Sequence, residues 1–391
     1  MFLVNRFGRV VEIEDEDEAQ QRIDSGRMRP ATDHEIAQRM AEREAADPGA
    51  SDVYYRTVRQ TPDGYGMSRD HIKWNLGQLD VVLAENFAEQ KIGLLYDYPY
   101  SVLSLRNDVR LVYTMFESDK IPEDWPDYLK AADEVLVPSK WCADVFARSG
   151  VKATVVPLGY NQEAFHYVDR PVPIDNNEPF TFIHYDSFNL RKGFMEVFNA
   201  FTQEFDPSEN VRLILKTVRE NVGIPLVKSQ FPNIEVVRGV MTEQELIALL
   251  GRAHCMVYPS RGEGFGITPL EAMATGMPAI VPNEHGISEY FNNKYMLEVQ
   301  APEKCPGLYN RFRGTNVGDM VVCDVDDLRK QMRYAVNHQA EMKELGRSAS
   351  EYVKGWTYRH TAERLAEIIK RWQKQEVVKR GDSKYLQVER I

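Results

Sequence analysis

The run Arg261-Gly-Glu-Gly-Phe-Gly-Ile-Thr-Pro-Leu-Glu-Ala-Met-Ala-Thr-Gly-Met-Pro-Ala-Ile-Val-Pro282 leaves this chain few ways to fold, because helix breakers and apolar residues alternate at set places. Gly264 and Gly266 resist a helix interior, whereas Thr268 suits an N-cap and Pro269 the first helical position. A helix starting at about Thr268 is therefore predicted. Gly276 and Pro278 end it, and 279–281 reads as a short apolar strand, as does 255–258 upstream. The segment is thus strand, glycine-rich loop, helix, strand. Unpaired N–H groups at such a helix start attract an anion such as a diphosphate. Glu263 on the loop and Glu271 in the first helical turn can accept hydrogen bonds from sugar hydroxyls.

The same residues admit a plainer reading. Thr268-Pro-Leu-Glu271 fits a capping box, in which Glu271 reaches back to the N-cap amide and touches no ligand. An isolated Gly-x-Gly is usually just a turn. Capping, however, requires only the second glutamate, and the loop also carries Glu263, Gly264, Phe265 and Gly266 in a row.

A length of 391 residues exceeds what one core sustains, and 43% hydrophobic content suffices for two. Strands rich in Val, Ile and Tyr alternate with helical stretches, which predicts an α/β chain with parallel sheets and crossover helices. The expected division is an N-terminal extension at 1–50, a Rossmann-like domain at 51–157, a Pro-rich linker at 158–179, a second Rossmann-like domain at 180–355, and a helix with a tail at 356–391. Candidate strands of the first domain are 53–59, 92–96, 109–114, 134–137 and 154–156. In the second, 180–185 is an apolar strand followed by Arg191-Lys192-Gly193 and a helix expected over 192–201. A lone lysine at a helix start is usually solvated. A loop at the carboxyl end of a parallel strand, though, is where α/β proteins bind ligands, and a cation there can stabilise a departing diphosphate.

Glu263-x7-Glu271 within Glu-Gly-Phe-Gly-Ile-Thr-Pro-Leu-Glu-Ala-Met-Ala-Thr-Gly-Met-Pro resembles the signature of the GT4-type retaining glycosyltransferases (glycosyl transferases group 1) of the GT-B fold. Similarity continues through Phe231-Pro-Asn-Ile-Glu-Val-Val-Arg-Gly-Val-Met-Thr and His285-Gly-Ile-Ser-Glu289. Ala132-Asp-Glu-Val-Leu-Val-Pro-Ser139 and Val155-Val-Pro-Leu-Gly-Tyr-Asn161 are similar to the family's amino-terminal half. Altogether the resemblance spans roughly 52–376. It implies two Rossmann-like domains whose parallel sheets face an interdomain cleft, with the last helix crossing back to the first domain. By the same resemblance, Glu263 faces the transferred sugar, Glu271 binds the nucleotide ribose diol and Lys192 neutralises the donor diphosphate. Gly264, Phe265, Gly266, Ile267 and Thr268 complete the donor loop. Many relatives carry an arginine near the end of the 180–185 strand, where this chain has His184-Tyr185-Asp186. Arg191 is then the candidate second cation, and His184 remains a donor-side candidate.

The activity so implied is retaining transfer of a hexosyl group from a nucleotide sugar, UDP-linked in the first instance, to an acceptor hydroxyl. GDP- and ADP-sugars stay open as donors. Glycan, lipid, protein and hydroxymethylated DNA bases stay open as acceptors. A sugar-nucleotide isomerase or phosphorylase of the same fold, or a non-catalytic sugar-nucleotide-binding module, are the alternatives. In the family's front-face mechanism the leaving phosphate oxygen takes the acceptor proton, so no separate base is required.

Acceptor-side signals are weaker. Gly64, Tyr65 and Gly66 precede a helix expected at 69–76 and serve either a ligand approach or a plain turn. Glu117 and Ser118 follow the 109–114 strand and either face the cleft or cap the next helix. Residues 1–13 suggest a hairpin turning at Phe7-Gly8-Arg9, followed by an acidic run at 14–18 and a helix near 33–45.

The formal net charge of −11 comes with no long basic block, which disfavours a nucleic-acid or membrane stripe; the tail at 370–390 is only locally basic. Arg6 and Arg9 are followed by acidic residues, and no run reaches membrane-spanning length, so a cytoplasmic enzyme without stable membrane insertion is expected. Cys142, Cys255, Cys305 and Cys323 lack paired metal spacing and read as reduced core thiols. Asp324-Val-Asp326 could ligate a cation, but it precedes a helix at 328–337, where Asp326 or Asp327 serves as N-cap. No metal and no bound cofactor is expected, the nucleotide sugar being a co-substrate. Oligomeric state is not legible in the sequence.

Overall fold

The computed structural model describes residues 2–5, 10–12, 28–30, 53–56, 64–79, 83–84 and 91–375, apart from 106, 174–176, 219–230, 310–311 and 313. Near the amino terminus β1 (Phe2–Asn5) pairs antiparallel with β2 (Val10–Glu12) in the expected hairpin. The third strand of that small sheet is β3 (Met28–Pro30). The acidic run and the 33–45 helix lie outside the described residues.

A parallel sheet buried on both faces needs strands apolar at every position. The runs Ile-Gly-Leu-Leu-Tyr and Val-Arg-Leu-Val-Tyr meet that need, and they form the fully buried β6 (Ile92–Tyr96) and β7 (Val109–Tyr113). Around them lie β4 (Val53–Arg56), β5 (Leu83–Ala84), β8 (Glu134–Val137) and β9 (Ala153–Val155), in the order β5-β4-β6-β7-β8-β9. Every pairing in this six-stranded sheet is parallel.

The second sheet is built from β10 (Phe180–Tyr185), β11 (Val211–Thr217), β12 (Ile234–Arg238), β13 (Cys255–Val257), β14 (Ala279–Val281) and β15 (Leu297–Glu298). It too is wholly parallel, in the order β12-β11-β10-β13-β14-β15. The chain winds one way from β10 and then the other from β13. These two strands flank the switch point of a doubly wound sheet, the crevice in which such folds bind ligands.

After β15 an antiparallel hairpin, β16 (Glu303–Leu308) and β17 (Asn316–Val322), leaves the sheet. The last helix, Tyr358–Lys374, crosses back and packs on the helix Gly64–Gly77. Its Trp372 indole donates to Glu134 Oε2 at 2.7 Å, and Thr361 Oγ1 donates to the Pro157 carbonyl at 2.8 Å. Alternation of apolar residues on one face explains this docking, since Leu365, Ala366, Ile368 and Ile369 are all buried.

Several helix boundaries moved. The helix expected at 69–76 begins at Gly64, so Gly64, Tyr65 and Gly66 form its first turn rather than a separate turn before it. Asp324, not Asp326 or Asp327, caps the helix Val325–Asn337: its carboxylate accepts from the amides of Asp326 and Asp327 at 2.8 and 3.0 Å. An N-cap must precede the first helical residue, and the helix starts earlier than its apolar periodicity suggests. Cys142, Cys255 and Cys323 are buried and all four cysteines are free.

Candidate active site

The carboxyl ends of β10 and β13 bring together residues far apart in sequence. Asp186 follows β10 directly; Tyr258, Ser260 and Glu263 follow β13; Arg191 and Lys192 lie on the 3-10 turn Leu190–Lys192. That turn ends at Gly193, whose φ of 70° is left-handed and whose added Cβ would sit 2.1 Å from the Pro259 carbonyl oxygen. Only glycine lets the basic turn lie against the loop after β13. The helix expected to begin at Lys192 therefore starts at Phe194, with Gly193 at its N-cap.

Lys192 Nζ lies 2.7 Å from Glu263 Oε1, 2.8 Å from Asp186 Oδ2 and 2.9 Å from Tyr258 Oη. All of its ammonium protons are thus directed into the cluster. Glu263 Oε1 also accepts from Ser260 Oγ at 2.7 Å, and Tyr258 Oη lies 2.8 Å from Asp186 Oδ2. Arg191 Nη1 is 3.3 Å from the same glutamate oxygen and donates to the Gly262 carbonyl at 2.6 Å. Two cations and two carboxylates, all largely out of water, compensate one another. Burial alone would raise the Glu263 carboxyl, but Lys192 and Arg191 hold it well below the usual carboxylate range. Burial likewise pushes Asp186 up, and Lys192 brings it back below its ordinary value.

The helix after the glycine loop starts differently from the sequence expectation. It spans Ile267–Ala274, and its N-cap is Gly266, left-handed at φ 85°, with no side-chain capping bond. Thr268 is not the cap, so the capping box with Glu271 does not form. Instead the Tyr185 hydroxyl bridges the turn, 2.9 Å from the Thr268 carbonyl and 3.1 Å from Glu271 Oε2. Burial lifts the Glu271 carboxyl to about 7 despite that phenol, and the charges of Glu243 and Asp186 add to the rise.

Several expected residues take supporting places. His184 is fully buried, with Nδ1 2.9 Å from the Val257 carbonyl and its ring stacked on Tyr258. Burial lowers its pKa. A strand alternates its side chains, and His184 points to the face opposite its neighbours Tyr185 and Ile183. Phe265 also leaves the site, packing against Tyr290 and Trp356. The Gly264 carbonyl accepts from Ser139 Oγ at 2.8 Å, which ties the loop to the first sheet's half of the chain. Ser118, fully buried, donates to the Val317 carbonyl of the hairpin and not into an open cleft. Glu117 lies close enough to raise the Arg191 guanidinium, after Glu263 and against burial.

Sequence reasoning missed Tyr258, Ser260 and Asp186 as members of the cluster, and His285. The imidazole of His285 is buried, 3.0 Å from the Ser260 carbonyl through Nε2, and burial pulls its pKa to about 4. Its φ of 45° is rare for a side-chain-bearing residue, and the following Gly286 amide donates to the Glu263 carbonyl at 2.9 Å. A left-handed, side-chain-bearing residue tied to the glycine loop is a local signal that only the folded chain carries. A cavity of about 540 Å³ lies elsewhere, at the amino end of the second sheet beside Thr181, Arg212, Asn233 and His254. Volume does not mark this site; convergence of charge at the switch point does.

With that geometry in place, similarity to known proteins can be read. Residues 169–302 match the family model described as Glycosyl transferases group 1. The chain is 27% identical over 260 residues, 65% of its length and 77% of the other's, to ORF313, a predicted glycosyltransferase of Acidianus filamentous virus 1. HepE of Anabaena, solved with UDP-glucose, superposes with a TM-score of 0.60 at 12% identity over 82% of this chain and 99% of that one. Sucrose-phosphate synthase of Thermosynechococcus elongatus gives 0.55 at 18% identity over 72% and 73%. The fold is GT-B, with two Rossmann-like parallel sheets. Among the described residues no helix is long and apolar enough to cross a membrane, and no three His, Cys, Asp or Glu side chains gather as a metal site.

Proposed function

We propose that this chain is a retaining glycosyltransferase that moves a hexosyl group from a nucleotide sugar, UDP-linked by preference, to an acceptor hydroxyl. The observation that carries this reading is Lys192 held between Asp186 and Glu263, with Arg191 beside them, at the switch point of a parallel sheet. A cation pair there suits a leaving diphosphate, which gains negative charge as its bond to the anomeric carbon breaks. The family match and the UDP-glucose bound by HepE support a nucleotide-sugar donor.

In this mechanism Lys192 and Arg191 neutralise the diphosphate and Glu263 faces the sugar being transferred. Glu271, midway along the helix Ile267–Ala274, accepts from the ribose hydroxyls. The anomeric carbon parts from the phosphate oxygen, the acceptor oxygen bonds to it on the same face, and the acceptor proton passes to the departing phosphate. The two cations supply the charge stabilisation at the leaving group. Contacts between the glycine loop and Ser139 help exclude water, which limits donor hydrolysis.

The test is a panel of nucleotide sugars scored by thermal denaturation, followed by nucleotide release with candidate acceptors. A donor that binds only the folded chain raises its melting temperature. A chain that no nucleotide sugar stabilises, and that releases nucleotide from none, is not this enzyme.

A further inference from the structure

Four neighbouring strands of the second sheet present a polar row at their amino ends, on the edge opposite the charged cluster. Thr181 of β10 pairs with Arg212 of β11. Asn233 and His254 each stand one residue before a pairing, Leu213 with Ile234 and Phe182 with Cys255, so they extend the row on either side. With strands about 4.8 Å apart, Asn233, Arg212, Thr181 and His254 follow one another across roughly 14 Å. All four line the cavity of about 540 Å³, a volume within the range of small-molecule sites.

The linker adds Arg170 to the wall, and its bonds hold that wall in place. Nε donates to the Ala253 carbonyl at 2.9 Å, Nη1 to the carbonyls of Val168 and Thr275, and Nη2 to the Leu250 carbonyl at 3.3 Å and to Thr275 Oγ1 at 2.8 Å. All five guanidinium N–H groups are thus taken by neutral oxygens, and no carboxylate receives one. His254 Nδ1 accepts from the Thr181 amide at 3.0 Å, and burial beside Arg170 pulls the imidazole to about 4. The neutral ring therefore carries its proton on Nε2.

Two members of the row are left without partners. Asn233 is 9% exposed, yet neither its Nδ2 nor its Oδ1 makes a hydrogen bond. A buried amide unpaired at both ends carries a free-energy cost, so its place beside a cavity calls for a ligand. The exposed guanidinium of Arg212 has no ion pair among the described residues. Of the lining carboxylates, Glu235 is taken by Arg252 and Asp169 by Lys343 at 3.0 Å. Glu178 alone then stands against Arg170 and Arg212, which leaves the cavity one positive charge in excess.

We propose that this cavity is a second binding site, separate from the switch point, for a small polyol bearing one oxyanion, a phosphate monoester or a carboxylate, of about the size of a hexose phosphate. The fork of Arg212 takes the oxyanion. Hydroxyls along the row meet Asn233, which donates and accepts as they do, and the Nε2–H of His254.

The experiment titrates hexose phosphates, hexuronates, the corresponding free hexoses and inorganic phosphate into the full-length wild type and three variants, with thermal denaturation and calorimetry as readouts. At a hundredfold excess over Kd, a hexose phosphate or a hexuronate should raise the wild-type melting temperature by about 3 °C, and the two arms tell which oxyanion is preferred. Arg212→Ala should weaken that binding at least tenfold and leave the melting temperature of the unliganded chain unchanged, since no partner is lost. Asn233→Leu should weaken it roughly fivefold while the unliganded melting temperature holds or rises, whereas an asparagine with a purely structural role would lower it. Lys192→Ala should bind as the wild type does, because Lys192 lies at the other end of the sheet. A wild type stabilised by neither class overturns the site. Equal stabilisation by free hexoses overturns the oxyanion, and equal stabilisation by inorganic phosphate overturns the polyol. Binding that survives Arg212→Ala and vanishes in Lys192→Ala puts the ligand at the switch point and overturns the second site.

Discussion

The glycine loop and the helix that follows it each present one glutamate, and their surroundings drive those carboxyls in opposite directions. Glu263, on the loop, sits against Lys192 and Arg191 and is held ionised far into acid. Glu271, on the helix, faces the Tyr185 phenol with no cation beside it among the described residues, and burial brings its carboxyl to about 7. Equal residue types at a fixed spacing thus acquire unlike chemistry from what the fold places next to them. One is a permanent charge within a compensated cluster; the other is poised between states.

Three perturbations can break or sharpen this contrast. The largest effect belongs to Lys192→Ala, which strips the loop glutamate of its closest cation. Nucleotide release with acceptor should fall by about 10³-fold, the scale of losing a main electrostatic stabiliser. The melting temperature should fall as well, since Asp186 and Glu263 are left buried with only Arg191 to offset them. Retention of more than a tenth of the activity, an order-of-magnitude threshold, would mean the loop cluster is structural rather than reactive.

Glu271→Gln should act more mildly, raising the donor KM roughly tenfold with little change in kcat, as for a group that binds substrate and transition state alike. For the wild type, donor KM should drop as pH rises through about 7, where the Glu271 carboxyl ionises and can accept from both ribose hydroxyls. The glutamine variant should lack that inflection. Stability runs the other way. Because the folded pKa lies above the ordinary glutamate value of 4.5, the favourable contribution of the protonated form is complete below about 4.5 and is lost as pH climbs through about 7. Denaturation curves of the two proteins across that interval should diverge accordingly; parallel curves would place Glu271 in an ordinary solvated setting.

The smallest effect is expected from Thr268→Ala. Since Gly266 opens the helix and no side-chain cap is made, unfolding free energy should change by less than about 0.5 kcal/mol, against about 1 kcal/mol for loss of a true N-cap. A cost near the larger figure in chemical denaturation would restore the capping box and return Glu271 to a structural role.

Much of this was legible without coordinates. Strands 92–96, 134–137, 180–185 and 279–281 appear at the expected residues, because runs apolar on both faces have few other fates. The loop-helix carrying Glu263 and Glu271 was legible too, within a residue or two at its start. The shift came from Gly266, whose left-handed backbone opens the helix before the better capping residue is reached. The setting of His184 was not legible for a related reason: sequence proximity to the strand end says nothing about which face a side chain takes until the register of β10 between β11 and β13 is set.

By itself, then, the order of residues determined the alternation of buried strands and helices, the glycine-rich loop and the presence of two acids and two bases near it. These are properties of neighbours along the chain, governed by propensity and periodicity. Which charges meet was decided only in three dimensions. Lys192 reaches Glu263 across 70 intervening positions, and the Asp119 amide meets the Asp319 carbonyl of a hairpin that comes from the other half of the chain. Such contacts, and the loss of water that gives each carboxyl its own pKa, depend on parallel strands brought side by side through crossovers, so no local pattern records them.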